Sequence, residues 1–169
     1  MAPPLSLLAD PIEYLCEEHF RQRRVFRALR MLAAGQDISA DVAEQIVEAM
    51  QHDLPLHHRD EDEDLFPLLR ARAHTEDGLE PLLAQLSHDH ARGEASARKL
   101  AAALCESGGG ERVTLGPLAA KLAGHFARDE QRHLAIENGI VLVMARKRLS
   151  SRDLETLTHA MKARRGVPI

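Results

Sequence analysis

The 169-residue sequence has no tryptophan, one tyrosine and four phenylalanines, so aromatic residues make up only 3% of it. Strands of a sandwich or barrel draw on aromatic side chains to fill their pleated faces, and this scarcity argues for helices instead. Cysteine is nearly absent. Cys16 and Cys105 are too few for a disulfide framework and show no metal-finger spacing. Each falls within an apolar helical pattern, which predicts two buried free thiols. No apolar run approaches the roughly 20 residues that span a bilayer, and the first residues have neither the basic start nor the apolar length of a signal peptide. The expectation is a cytoplasmic protein with no membrane partner. Positive charge is not in excess either: the formal net charge is −4, which speaks against general affinity for nucleic acid.

What is there is leucine and alanine in quantity, 44% hydrophobic residues in all, and ten histidines. The length and apolar content suit one domain over residues 1–169 with a core of its own. Asp10 and Pro11 open a first helix as cap and first residue, and Gly35 closes it. Ile12, Leu15, His19, Phe26, Leu29 and Ala33 mark its inner side. A second helix runs from near Ser39 to near Ala73, with Val42, Ile46, Met50, Leu54, His57, Glu61, Leu65 and Leu68 inward. Pro55 lies inside it and predicts a kink just before His57.

Thr75 to Gly78 reads as a turn. A third helix then carries Leu79, Leu83, Leu86, His90, Gly93, Ala97, Leu100 and Leu104 at unbroken three- and four-residue spacing. Ser107 to Gly110 forms a loop. A fourth helix, from Val113–Pro117 to about Leu149, turns Leu118, Leu122, Phe126, Asp129 or Glu130, His133, Glu137, Ile140 and Met144 inward. Ser150 or Ser151 caps a fifth, from Arg152 to about Arg165, which is only modestly apolar and is expected to pack outside the others. The fold class is therefore all-α: an up-down-up-down four-helix bundle over about residues 10–149, with a short additional C-terminal helix over about 151–165.

The chemistry lies in how histidine and glutamate fall on these stripes. His57 and Glu61 are four apart, as are His133 and Glu137, so each pair stacks on one helix face. A lone inward histidine precedes each pair on the helix before it: His19, then His90. Taken singly these signals are weak. His90 and Glu94 make a third such pair, about one is expected by chance at this composition, and a lone histidine on an apolar stripe is ordinarily a hydrogen-bonded core residue. The acidic run Asp60 to Asp64 is ordinarily a solvated face. Together, however, four histidines and two carboxylates point into one bundle. A buried, ionised glutamate without a partner costs several kcal/mol, and a multivalent cation reverses that sign by making each carboxylate a ligand. Nitrogen and oxygen donors without thiolate suit iron, manganese or zinc, and six protein donors suit two octahedral ions bridged by both carboxylates better than one open zinc.

Four stretches carry a family resemblance: Glu18-His19-Phe20; Leu54 to His57 with Asp60-Glu61 and Leu65 to Leu68; Leu86 to His90; and His133 to Asn138. In order and spacing the chain resembles the hemerythrin-like HHE cation-binding domain. The resemblance implies a non-haem di-iron centre, two iron ions with an oxo or hydroxo bridge ahead of manganese or zinc. It implies His19, His57, Glu61, His90, His133 and Glu137 as ligands, with Glu61 and Glu137 bridging. The oxygen carriers of that family place two histidines one turn apart on the third helix, whereas here Leu86 lies four before His90 and Glu94 four after. They also tend to end their ligand set on aspartate rather than Glu137. Both departures point away from reversible oxygen transport and towards oxygen, nitric oxide or peroxide sensing, or iron handling, with a small oxygen or nitrogen species as partner.

The alternative is a helical interaction or signalling module with an incidental or lost metal site, its contact surface supplied by Arg21 to Arg30 and the basic end of the fifth helix. A single-metal zinc or manganese hydrolase is a third reading. His58 with Asp62 forms a shifted pair beside His57 and Glu61, rotated by about 100°. Glu94 or water is a candidate for the place left by Leu86. His125 and Asp129 are candidates for supporting hydrogen bonds or for plain exposure, while His52, His74, His88 and His159 are expected at the surface. Tyr14 is expected to pack in the core.

Overall fold

The computed structural model describes residues 3–107 and 109–168. Three of its five long helices begin at side-chain caps, Asp10, Ser39 and Ser150. Helix α1 is Pro11–Ala33; the Asp10 carboxylate accepts from the Glu13 amide at 2.9 Å, and Pro11 sits where a missing N–H is harmless. Gly35, at a φ of 77°, closes it in a left-handed conformation. Residues 40–72 form one long helix, α2. Its α-helical stretches Ala40–Glu48, Leu54–Arg59 and Phe66–Arg72 are joined by the π-helical turns Ala49–Asp53 and Asp60–Leu65. Helix α3 is Leu79–Glu106. Helix α4 covers residues 117–148 as Pro117–Ile136, a third π turn Glu137–Val141, and Leu142–Arg148. Helix α5, Ser151–Arg164, starts at a reciprocal cap between Ser150 and Asp153.

The π turns alter the expected pattern. Pro55 and Pro67 each follow one closely. A proline within a helix has no N–H to donate, and its ring crowds the carbonyl four residues back; a wider preceding turn relieves both faults. The kink expected before His57 is therefore a π turn, and the helix continues through it. Each extra residue also rotates the downstream face by about 100°. Leu69 is accordingly buried where Leu68 was expected, and Val141 and Ala145 where Ile140 and Met144 were; Ile140 is exposed.

Two other inward assignments fall on exposed residues without a π turn. Val42 lies on the flank of a face carried by Ala43, Ile46 and Met50. Leu118 is 87% exposed, about 140° around α4 from the buried Ala123. Cys105 is exposed and Cys16 half-buried, because the stripe of α3 runs through Leu104, one residue to the side.

Cross-helix pairs fix the topology. Glu13 meets Arg146 and Arg30 meets Gln131, so α1 and α4 run antiparallel. Arg70 meets Glu80 while His58 meets Glu94, so α2 and α3 do too. The result is the expected all-α bundle, supplemented by a two-residue ribbon, β1 (Ile38–Ser39) pairing antiparallel with β2 (Arg112–Val113), which ties the α1–α2 and α3–α4 connections together. The apolar core is split in two. One half, around Phe26, Leu29, Ile46, Met50, Leu100 and Phe126, lies towards the ribbon; the other, around Tyr14, Leu15, Phe66, Leu83 and Val141, lies towards α5, which adds Leu157 and Met161. Between the halves is a polar layer. No helix among the described residues is long and apolar enough to cross a membrane.

Candidate metal centre

The polar layer is built by one or two residues from each of the four long helices. α1 contributes His19, α2 His57 and Glu61, α3 His90, and α4 His133 and Glu137. All six are buried, with Glu61, Glu137 and His19 at 0% exposure. The structure thus brings together every residue singled out from the stripes. They form two groups, His19, His57, Glu61 and Glu137 in one and Glu61, His90, His133 and Glu137 in the other, with the donor atoms of each within 4.8 Å of one another. Both glutamates belong to both groups, and each lies within a π turn that opens its helix at that level.

The geometry is close to symmetric. His19 and His57 face each other with their Nε2 atoms 3.1 Å apart, and His90 and His133 with theirs 2.9 Å apart. Two nitrogen donors at right angles on one ion, each ~2.1 Å from it, stand about 3.0 Å apart. Glu61 lies between the pairs: its oxygens are 3.8 Å from His19 Nε2, 3.5 Å from His57 Nε2 and 3.3 Å from His90 Nε2. Glu137 likewise lies 3.5 Å from His19, 3.4 Å from His90 and 2.7 Å from His133. Yet neither Glu61 oxygen, nor Glu137 Oε2, has a hydrogen-bond partner. Buried polar atoms of a stable core are otherwise nearly always satisfied. Four inward imidazole nitrogens around two carboxylates with three unsatisfied oxygens form a donor set that fits a pair of cations, with no thiolate among them.

The outer faces of two of the rings are held. His57 Nδ1 donates to Glu18 at 2.8 Å, and His90 Nδ1 donates to Asp62 at 2.9 Å; Asp62 also accepts from Ser87 Oγ at 2.6 Å. A carboxylate only accepts, so each bond places a proton on Nδ1 and turns Nε2 inward, towards the two glutamates. The field of the site draws positive charge. Burial works against a charged ring at His57, but Glu61 and Glu18 outweigh it and lift the ring to about 9. Against the same opposition Asp62, Glu137 and Glu61 lift His90 to about 12. Burial and Glu61 push the Glu137 carboxyl up, yet His133 and His90 hold it down at about 2.

Helix α5 does more than pack on the outside. Arg165 donates to Glu18 at 3.1 Å and to Tyr14 Oη at 3.1 Å, and pairs with the fully buried Asp60 at 2.5 Å. Arg164 binds Asp60, Glu63 and Asp64. Asp60, Glu63 and Asp64 of the acidic run are therefore engaged by the end of α5, with Asp60 fully buried there and Glu63 still exposed. Arg165, Glu18 and His57 form a continuous chain of hydrogen bonds from the last helix to the centre. Tyr14 is a core residue, as expected, with its hydroxyl engaged.

The chain matches the hemerythrin HHE cation-binding domain over residues 10–162. It belongs to that family. A protein of Haemophilus influenzae, itself named only as uncharacterized, is 30% identical over 166 residues, covering 94% of this chain and 91% of its own. Within this HHE chain, His58 is buried but stacks on His90, with ring centroids 4.1 Å apart, and bonds Glu94 at 3.1 Å; it is outside both donor groups. Burial pulls His58 down to about 4, so it stays neutral. Glu94 is thereby turned away from the place left by Leu86. His125, Asp129, His52, His74, His88 and His159 are exposed.

Sequence reasoning named Glu18 and Asp60 only within the family stretches and Arg165 only at the basic end of the fifth helix, gave none of them a role at the site, and left Glu130 as an alternative to Asp129. Glu18 and Asp60 each adjoin a residue that was identified, a usable signal; nothing local marks Arg165. The Glu130 carboxyl is buried, and burial lifts it to about 7 against the pull of His133.

Proposed function

We propose that this chain is a non-haem di-iron protein whose six ligands are His19, His57, Glu61, His90, His133 and Glu137, with both glutamates shared between two iron ions. One observation carries the reading: Glu61 is at 0% exposure, has no hydrogen bond to either oxygen, and stands between two facing pairs of imidazole nitrogens. A carboxylate so placed is stable only against nearby positive charge. Mixed imidazole and carboxylate donors favour iron over copper(I), and iron ahead of manganese or zinc given the family.

Glu61 and Glu137, common to both donor groups, would hold and neutralise the cations, and the four imidazoles would supply the remaining donors. Glu18 and Asp62 fix the orientation of one ring in each group. The apolar halves of the core keep bulk water away from both sides. Iron in such a site supplies redox exchange with small oxygen or nitrogen species. Each group contains four protein donors, fewer than the six of an octahedral ion, which leaves room for a diatomic molecule, peroxide or water rather than an organic substrate. The role that follows is oxygen, nitric oxide or peroxide sensing, or iron handling.

The interaction-module alternative loses its basic surface at α5, since Arg164 and Arg165 are engaged with Asp60, Glu18 and Asp64. A single-metal hydrolase leaves the second donor group without a role. Metal analysis of protein produced without added metals tests the proposal. Two irons per chain with a near-ultraviolet oxo-to-iron absorption are expected; a well-folded preparation without transition metal, whose melting is indifferent to chelator, refutes it.

A further inference from the structure

Between α3 and α4 lies a cleft of about 660 Å³, with Gln85, Asp89, Arg92 and Ser96 along one side and Asp129 on the other. Glu130 and His133 also line it, so the cleft connects one donor group of the metal centre with the surface. Glu130 is only 6% exposed and, among the described residues, makes no hydrogen bond or ion pair. Gly93 faces it. A Cβ at that glycine would lie 2.5 Å from Glu130 Oε1 and 3.4 Å from its Cδ, so only glycine leaves the carboxyl where it is.

A glycine inside a long helix costs about 1 kcal/mol, and a buried acid without a partner costs more. Here the two destabilising choices meet. Gly93 lies one turn beyond His90 on α3, and Glu130 one turn before His133 on α4, on the same faces as those histidines. The other acids of the cleft are differently placed. Asp89 is engaged by Arg92 and Gln85 at 3.0 Å each, and Asp129 is exposed.

We propose that Glu130 is a cation-accepting side chain at the inner end of the α3–α4 cleft: the first protein ligand a divalent metal ion meets on its way from solvent to His133 and Glu137. This rests on the di-metal reading above. A divalent cation leaving water must exchange its hydration oxygens one by one for protein oxygens. Glu130 offers two oxygens that no other group occupies, one turn short of His133, and Gly93 keeps the space around them clear.

Chelator-treated protein mixed with cobalt(II) tests this, with the ligand-field absorbance reporting filling of the centre in real time. The wild type takes up two cobalt ions per chain. Glu130→Gln, which keeps the shape and removes the charge, takes up the same two but about tenfold more slowly at limiting metal, the rate change of one lost interaction at the barrier. Gly93→Ala, which displaces the carboxyl, slows uptake as well. Asp129→Asn removes the same charge from the same cleft at an exposed position and loads as fast as the wild type. Wild-type uptake rates in Glu130→Gln, or equal slowing in Asp129→Asn, overturn the proposal. A final stoichiometry of one cobalt in Glu130→Gln also overturns it, since Glu130 would then be a resident ligand. A wild type that takes up no cobalt refutes the di-metal reading itself, an outcome distinct from two filled sites whose rate ignores residue 130.

Discussion

Replacing Glu61 by leucine should change protein stability in opposite directions with and without metal. Glu61 is fully buried, and its oxygens have no hydrogen-bond donor. Exchanging a buried ionic group for an apolar side chain of similar volume is commonly neutral or stabilising, by ~1–4 kcal/mol. Without Glu61 the rings it faces keep other carboxylate partners, Glu18 for His57 and Asp62 with Glu137 for His90, so no unpaired cation is left in the core. In chelator, Glu61→Leu therefore melts as high as the wild type or above it, by up to roughly 10 °C for a chain of this size.

With metal the order inverts. Glu61 is common to both donor groups, so its loss disables both sites. A ligand at a hundred times its Kd stabilises the folded chain by about 2.7 kcal/mol per site, which for two sites corresponds to a rise of roughly 10–20 °C in the wild type. Glu61→Leu shows no such rise. Thermal melts of both proteins at pH 8, in chelator and in excess metal, measure the crossing. If the variant loses equal stability in both conditions, Glu61 is an ordinary structural residue and the reasoning fails.

Arg165→Met breaks pairs with Asp60 and Glu18 at a position only 5% exposed, and should cost about 3–5 kcal/mol; it should also weaken metal binding about 10–100-fold by freeing the Glu18 that orients His57, read by competition with a chelator of known affinity. Leu118→Ser should leave stability within about 0.5 kcal/mol in a denaturant titration, since the side chain is 87% exposed; a larger loss would place Leu118 in a contact the fold does not show. The Asp77 carboxyl is held down at about 2 by its bonds from Arg148 and the His74 amide, so its stabilisation is complete above the ordinary aspartate range and is lost as pH falls through about 2. Asp77→Asn should therefore lower the melting temperature at pH 6 and have a much smaller effect near pH 2; an equal difference at both would refute the assignment.

The third helix shows how much of this molecule can be read along the chain. All eight of its expected inward residues, Leu79 to Leu104, are buried, because nothing interrupts its period. α2 and α4 were legible in most of their length, apart from Val42 and Leu118, and were displaced by one residue after the π turns that hold Glu61 and Glu137, at Leu68 and Ile140. A π turn depends on what the helix packs around, and a list of periods cannot anticipate the extra residue. The acidic run shows a different limit. Asp60 and Glu61 are neighbours, about 100° apart on their helix, and both are wholly buried. Glu61 faces the bundle interior, as its stripe foretold; Asp60 is covered from the opposite side by Arg164 and Arg165, a hundred residues away.

By itself the order of residues determined the helices, their caps, and the convergence of His19, His57, Glu61, His90, His133 and Glu137. The faces follow from spacing within single helices, where 3.6 residues per turn decides which side chains lie together, and the convergence follows from the like placing of His19 before His57 and of His90 before His133 in the two hairpins. The tertiary structure alone decided that Glu18 and Asp62 orient the rings, that His58 pairs with Glu94, that Arg165 closes over Asp60, and that Glu130 lies opposite Gly93. Each of these is a contact between helices, and whether a charged side chain is buried depends on the partner another helix brings to it.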